Sequence, residues 1–242
     1  MKVLVSGIVD FSTIDYPKKC SAVIFLYNCN MRCPYCHNLK YILEHKKEMT
    51  VEELFNNIDF FFADAIVISG GEPTLQKDAL IEIARYAKEK GFPVKIDTNG
   101  TKPEVFEELV KNNLIDYVAV DVKCKFDKYR DFTKCEEDGE EIKKKILKII
   151  DLCKNNNVFV ECRTTYVPKV MDESDIEEIA KTVKDCDLYA IQQFEPKDAY
   201  DEEFRKINPP KEEELIKLGK IAKKYINNVI IRTVNGVFEI GL

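Results

Sequence analysis

Two kinds of apolar pattern take turns along the chain. Short runs rich in β-branched residues read as buried strands, and longer stretches with apolar residues three and four apart read as amphipathic helices. The strand-like runs are Cys20–Tyr27, Asp64–Ser69, Pro93–Asp97, Tyr117–Asp121, Val158–Tyr166 and Leu188–Phe194, with a shorter seventh at Val229–Thr233. Ahead of them Val3, Val5 and Ile8 alternate loosely and predict a short edge strand. Thr50-Val51-Glu52-Glu53 is a capping box that opens a helix through about Phe61. A helix from about Lys77 to Lys90 carries Leu80, Ala84 and Ala87 on one face, and Gly91 ends it. Thr101-Lys102-Pro103-Glu104 opens another; a further one carries the stripe Ile142, Ile146, Ile149, Ile150 and Cys153. Helices are also predicted from about Asp172 to Lys184 and after Asn208-Pro209-Pro210, whereas residues 124–139 are polar and predict a loop.

Strand and helix alternate six times, which is the pattern of a parallel sheet built from right-handed βαβ units. Six units fall short of the eight of a closed barrel, so the expected α/β fold is a partial (β/α)6 TIM-like barrel, with a doubly wound sheet as the other architecture. No linker or repeat divides the chain, and a single domain over residues 1–242, with its core at about 14–233, is expected. In both architectures ligands bind at the carboxyl ends of the strands. Those ends carry, in order, Cys29, Cys33 and Cys36; Gly70, Gly71 and Glu72; Asp97, Thr98 and Asn99; Asp121 and Lys123; Arg163, Thr164 and Thr165; Gln192 and Gln193. The opposite ends show no such concentration, so one polar mouth is expected with three cysteines at its side.

The cysteines have the spacing C-x3-C-x2-C within Cys29-Asn30-Met31-Arg32-Cys33-Pro34-Tyr35-Cys36-His37-Asn38. Three thiolates this close share one metal centre and leave a four-site centre with one open position, as catalysis or ligand binding needs. The competing arrangement is a structural zinc site completed by His37 or His45. Such sites usually come as two C-x2-C pairs, and no second pair follows. Composition narrows the picture further. The 242 residues carry a net charge of −6 and no basic run free of acids, which argues against a nucleic-acid substrate. No apolar run approaches the length of a membrane span, and Met1–Asp10 does not form a signal peptide. The nine cysteines lack the regular spacing of a secreted disulfide framework, so a reducing, cytoplasmic location is expected.

With Tyr35 just before its last cysteine, the C-x3-C-x2-C motif resembles that of the radical S-adenosylmethionine (SAM) superfamily, and Gly70-Gly71-Glu72-Pro73 resembles that superfamily's methionine-binding motif. Together with Ile14-Asp15-Tyr16-Pro17, Asp97-Thr98-Asn99-Gly100 and Asp121-Val122-Lys123, the chain is similar to glycyl-radical-enzyme activating enzymes, above all those of pyruvate formate-lyase and anaerobic ribonucleoside-triphosphate reductase. The resemblance spans nearly the whole chain and is strongest over residues 14–123. It implies a [4Fe–4S] cluster on Cys29, Cys33 and Cys36, with its fourth iron open to the amino and carboxylate groups of SAM. One electron then cleaves SAM to methionine and a 5′-deoxyadenosyl radical, which takes a hydrogen from a glycine of a partner enzyme. A flavodoxin- or ferredoxin-like protein is the implied electron donor.

The resemblance also implies residue roles. Tyr35, His37 and Asn38 would line the cofactor site. Gly70 and Gly71 would let backbone approach the methionine moiety, and Glu72 would accept from its ammonium group. Asp97, Thr98 and Asp121 match positions that hold a monovalent cation, and Asn99 adjoins them. Lys123 and Arg163 would neutralise the carboxylate or steer the partner, and Gln193 would stand near the adenosyl group. Two positions depart from the family, which has Gly where Asn28 and Lys18 stand here. Asn28 can keep a left-handed turn; Lys18 leaves the path of the first loop open. Cys20, Cys153 and Cys162 are expected in the core, and Cys124 and Cys135 as free thiols rather than a disulfide or auxiliary metal site. Three functions follow in order: an activase of a glycyl radical enzyme, foremost an anaerobic ribonucleotide reductase; the same chemistry on a small molecule, peptide or RNA; and a zinc-stabilised binding protein without catalysis.

Overall fold

Each predicted βα unit is present in a computed structural model, which describes residues 1–241. In chain order the elements are β1 (Lys2–Ser12), β2 (Ser21–Leu26), α1 (Leu39–Glu44), β3 (Lys47–Thr50), α2 (Val51–Asn56), β4 (Ala65–Gly70), α3 (Lys77–Glu89), β5 (Val94–Thr98), α4 (Pro103–Lys111), β6 (Tyr117–Asp121), α5 (Tyr129–Thr133), α6 (Gly139–Asn155), β7 (Phe159–Tyr166), α7 (Glu173–Thr182), β8 (Leu188–Gln193), α8 (Glu212–Ala222), β9 (Val229–Thr233) and β10 (Gly236–Glu239).

All ten strands form one sheet in the order β10-β9-β8-β7-β6-β5-β4-β2-β1-β3. From β2 through β9, β3 aside, every neighbouring pair is parallel and follows the chain without reversal. A doubly wound sheet reverses its strand order at a switch point; this one never does, so the partial barrel is the architecture. The apolar stripe of α6 is buried as its spacing predicts, with Ile142, Ile146 and Ile149 fully buried beside Ile150 and Cys153. Each such side chain contributes about 1.5–3 kcal/mol by leaving water.

Local chemistry sets the helix starts. Thr50 accepts the backbone N–H of Glu53 while Glu53 reaches back to Thr50, the reciprocal capping expected there. The helix it opens is shorter than predicted and stops at Asn56. Thr101 does not cap α4: its hydroxyl and N–H donate to Asn99 Oδ1, and the helix starts on Pro103. Pro209 and Pro210 lie just ahead of the last helix rather than inside it; Lys211 is its N-cap and α8 begins at Glu212. The stretch 124–139 is not all loop, since a 3-10 turn at Phe126–Lys128 leads into α5.

The sheet margins differ most from expectation. β1 is eleven residues long and internal, because β3 pairs antiparallel with its outer side. At the other margin β10 folds back on β9 as a hairpin through Val234-Asn235. Asn235-Gly236 after a strand is the local signal of that hairpin. Lys18 and Asn28 both adopt positive φ, 64° and 76°. The backbone therefore keeps at both positions the left-handed form that glycine favours.

Shortening a fully buried side chain of the α6 stripe tests how the core is held. Ile146→Ala is expected to lower unfolding free energy by about 2–5 kcal/mol in denaturant titration, because the packed helix–sheet layer cannot collapse around the gap.

Candidate functional site

The carboxyl ends of six strands converge on one cavity of about 380 Å³. Its wall carries Cys29, Cys33, Tyr35, Cys36, His37 and Asn38 from the loop after β2, and Gly70 and Gly71 from the end of β4. Asp97, Thr98 and Asn99 come from β5, Asp121 and Lys123 from β6, Arg163 and Thr165 from β7, and Gln192 and Gln193 from β8. Every strand end singled out in the sequence thus contributes to one space. Sequence reasoning missed the contributions of Asp15, Phe25, Met31, Leu39, Ile42 and Ser69. Asp15 had a signal, standing in the Ile14-Asp15-Tyr16-Pro17 stretch; the apolar ones read as ordinary core.

The cysteine loop is fixed by backbone. Asn28, left-handed, turns the chain and its Oδ1 accepts the N–H of Cys29 at 2.8 Å. Gly71 N–H donates to Leu26 O (3.1 Å) and Glu72 N–H to Asn28 O (2.8 Å), stitching the end of β4 to the loop. Gly70 and Gly71 make this approach possible. A Cβ on Gly70 would stand 2.4 Å from the backbone of Leu26, and one on Gly71 1.8 Å from Asn28 O. The closeness these glycines permit is first of all to the cysteine loop, although both also face the cavity.

Glu72 corrects an expectation. It is fully buried and lies outside the cavity wall. Oε1 accepts from Thr74 N–H (3.1 Å), Thr74 Oγ1 (2.6 Å) and Thr98 Oγ1 (2.9 Å), and Oε2 from Asn99 N–H (2.6 Å). Burial pushes its pKa up, and these hydrogen bonds oppose the rise. With both oxygens engaged by its own chain, Glu72 is a clasp between the β4 and β5 turns and not an acceptor turned to a ligand ammonium. Asn99 extends the clasp, donating from Nδ2 to Asn30 Oδ1 at 2.8 Å.

The carboxylates expected to hold a monovalent cation already have cations of the chain as partners. Asp97 pairs with Lys95 Nζ (2.5 Å) and Arg163 Nη1 (3.2 Å) and accepts from Ser69 Oγ (3.0 Å). Asp121 pairs with Arg163 Nε (2.7 Å) and Lys123 Nζ (2.8 Å). Burial pushes both carboxyls up, but Arg163, with Lys95 at Asp97 and Lys123 at Asp121, more than reverses it and holds both below the usual range. Thr98 spends its hydroxyl on Glu72. A further monovalent ion has no unneutralised carboxylate here. Gln193 is likewise engaged: its Nε2 donates to Pro210 O and its Oε1 accepts from Val234 N–H, both at 2.9 Å.

The donor set fits an iron–sulfur cluster better than a single metal. Cys29, Cys33 and Cys36 share one wall, yet among the described residues no three His, Cys, Asp or Glu side chains converge to hold one ion. A cluster takes each thiolate on a separate iron, so its donors stand apart. His45, one candidate to complete a zinc site, is exposed and stacks on Tyr41 with ring centroids 4.1 Å apart. Burial pushes the Cys29 thiol up to about 11 and Cys33 to about 12, so binding there must displace protons. Met31 N–H donates to Cys29 Sγ at 3.4 Å, a contact of the kind that tunes cluster potential. Tyr35 is buried and stacks on Phe132 (5.2 Å). The remaining cysteines, Cys124 and Cys135 among them, are free thiols; Cys153 and Cys162 are buried in the core and Cys20 is half-buried.

A three-thiol wall at the carboxyl mouth of a partial barrel defines the class, and comparison with known proteins agrees. The family model "Radical SAM superfamily" matches residues 23–186. The chain belongs to the radical SAM superfamily, whose membership implies a [4Fe–4S] cluster and SAM as cofactors. It is 84% identical over 240 residues, 99% of this chain and 100% of the other, to a Methanocaldococcus jannaschii protein named "Putative glycyl-radical enzyme activating enzyme". Over 108 residues, 42% of this chain and 44% of the other, it is 36% identical to the pyruvate formate-lyase-activating enzyme of Clostridium pasteurianum. A solved domain of the pyruvate-formate lyase-activating enzyme from Bacteroides vulgatus shares the fold, with a TM-score of 0.55 at 19% identity over 70% of this chain and 99% of that one.

Two outcomes follow from the site's electrostatics. Glu72→Ala strands buried donors on Thr74, Thr98 and Asn99 and is expected to cost about 2–4 kcal/mol in denaturant unfolding. The depressed carboxyls of Asp97 and Asp121 contribute stability that is complete above their unfolded pKa of about 4 and is lost as pH falls toward their native values. The unfolding free energy of Asp121→Asn should therefore fall less steeply than that of the parent below about pH 4.

Proposed function

We propose that this chain is a radical SAM activase that generates a glycyl radical on a partner enzyme, foremost an anaerobic ribonucleotide reductase. One observation carries the choice of a protein substrate. The cysteine cavity shares His37, Gln192 and Gln193 with a second cleft of about 1240 Å³, which runs from the amino ends of β6 to β9 (Tyr117, Phe159, Leu188, Val229) to the β9–β10 hairpin. That exceeds the roughly 300–1,000 Å³ of a small-molecule pocket. A folded-out polypeptide loop fills such a space, whereas a small substrate would leave it wet. The near-full-length likeness to the Methanocaldococcus jannaschii protein supports the same reading.

In this reading Cys29, Cys33 and Cys36 hold the [4Fe–4S] cluster. When bound and reduced, such a cluster would supply one electron to the sulfonium of SAM, which would give methionine and a 5′-deoxyadenosyl radical able to take the glycine hydrogen. The chain's residues position and shield. The clasp from Glu72 through Asn99 to Asn30 keeps the cysteine loop rigid. Arg163 and Lys123, held by Asp97 and Asp121, present fixed positive charge to the carboxylate of SAM; Tyr35, His37 and Asn38 line the cofactor space. A reduced flavodoxin- or ferredoxin-like donor in the cytoplasm would supply the electron.

Anaerobic reconstitution tests this reading. The parent protein should bind about four irons per chain and, once reduced, convert SAM to 5′-deoxyadenosine. Mixed with an anaerobic ribonucleotide reductase it should give a glycyl doublet by EPR. Cys29→Ala, Cys33→Ala or Cys36→Ala should each lose cluster absorbance and all SAM cleavage, while Cys153→Ala should retain both. SAM cleavage without a glycyl signal on any glycyl radical enzyme would instead favour a small-molecule, peptide or RNA substrate.

A further inference from the structure

The two margins of the sheet are finished differently. At one, β3 carries Lys47 and Glu48, and Glu48 is tied to Lys2 at 2.5 Å. Charge on an outer strand discourages another chain from pairing with it. At the other, β10 lacks proline, is exposed along its length and carries a single charge, Glu239, at its last residue. Val237 within it is 60% exposed, and Val234 in the preceding turn 70%.

The register fixes which backbone groups of β10 are free. Ile240 N–H donates to Val229 O at 2.9 Å. Antiparallel pairing alternates, so Gly236 and Phe238 also turn their N–H and C=O toward β9. Val237 and Glu239 therefore point theirs outward. Val234, Gly236, Val237 and Glu239 also line the lateral cleft, which passes through Gln192 and Gln193 into the cysteine cavity. Gln193 couples the hairpin to the mouth, since its side chain accepts from Val234 N–H. The opposite lip of the cleft is Thr13–Lys18, where Ile14 is 82% exposed.

We propose that β10 is a strand-addition site: an extended segment of the partner enzyme next to its radical-bearing glycine pairs with the outward groups of Val237 and Glu239, and its path along the cleft delivers the glycine to the cysteine cavity. This rests on the activase reading above and adds how the substrate is held. Main-chain pairing gives affinity with little demand on side chains. A second copy of this chain is the weaker occupant. Strands of four residues bury far less than the roughly 1,200 Å² of a stable interface, and self-pairing would cover the cleft that the substrate needs.

The test uses the full-length reconstituted protein and a synthetic peptide spanning the radical-bearing glycine of an anaerobic ribonucleotide reductase. Glu239→Pro deletes an outward N–H and leaves the β9 ladder intact. It should weaken peptide binding about tenfold, with a matching loss of glycyl radical, and leave peptide-independent SAM cleavage at the parental rate. Glu239→Gln, which keeps the N–H, should bind like the parent. Independently of any variant, hydrogen exchange on the parent should show the Val237 and Glu239 amides becoming protected when the peptide binds. Tight binding with these amides unprotected, or with Glu239→Pro binding at full strength, would overturn strand addition while leaving the activase reading standing. A parent that cleaves SAM but neither binds the peptide nor forms a glycyl radical would overturn both. A concentration-dependent dimer that protects the two amides without peptide would reassign the edge to a second copy.

Discussion

The contact on which the site depends is between two backbones. The end of β4 lies against the cysteine loop so closely that a single Cβ at Gly71 would fall 1.8 Å from Asn28 O. Two main-chain hydrogen bonds cross the gap, from Gly71 to Leu26 and from Glu72 to Asn28. Asn28 must be left-handed to offer its carbonyl there, and it is. The Glu72 carboxylate then ties the same turn to the β5 turn through Thr98 and Asn99. The positions of three thiols are set this way by hydrogen bonds in the layer below them. A loop with no regular structure gains the rigidity of the sheet on which it rests.

A second layer of constraint is electrostatic. Lys95, Asp97, Arg163, Asp121 and Lys123 form a continuous chain of alternating sign across three neighbouring strands. Arg163 joins Asp97 to Asp121, and two lysines end the chain. Removing one member of such a buried set leaves its neighbours uncompensated, so the members hold one another in place. Three cations face two carboxylates: Arg163 and Lys123 stand on the cavity wall with Asp97 and Asp121, and Lys95 is buried away from it.

The sheet and the mouth were legible because both rest on local patterns. A buried parallel strand must be apolar along its length, and its carboxyl end must stop being so; Ile66-Val67-Ile68 followed by Ser69-Gly70-Gly71 says both. Left-handed Asn28 was legible for the same reason, as asparagine tolerates that conformation. What was not legible depends on partners distant in sequence. Glu72 stands in a motif that suggests ligand contact, and only the fold shows that Thr98 and Asn99 reach it first. Asp97 and Asp121 look like cation ligands until Arg163 is seen between them. β3 escaped notice because Lys47-Glu48-Met49-Thr50 has no strand pattern of its own; its conformation is imposed by β1. The β10 hairpin does carry a local signal, Asn235-Gly236 after a strand, but it lies beyond the last βα unit.

That last element bears on how an incomplete barrel works. A closed eight-strand barrel fills its interior with side chains and admits ligands only from above. Here seven consecutive parallel strands leave a gap, bordered by the Thr13–Lys18 segment on one side and the β9–β10 hairpin on the other. The gap has a structural cost, since it exposes strand edges that a closed barrel would pair. The chain covers one side of the cost by running β1 and the charged β3 beyond β2. On the other side it adds a four-residue strand whose outward groups, at Val237 and Glu239, have no backbone partner among the described residues. For the activase proposed above, the opening would give the main chain of a folded protein a lateral way in, and an edge still able to pair would be the simplest means of holding that main chain there.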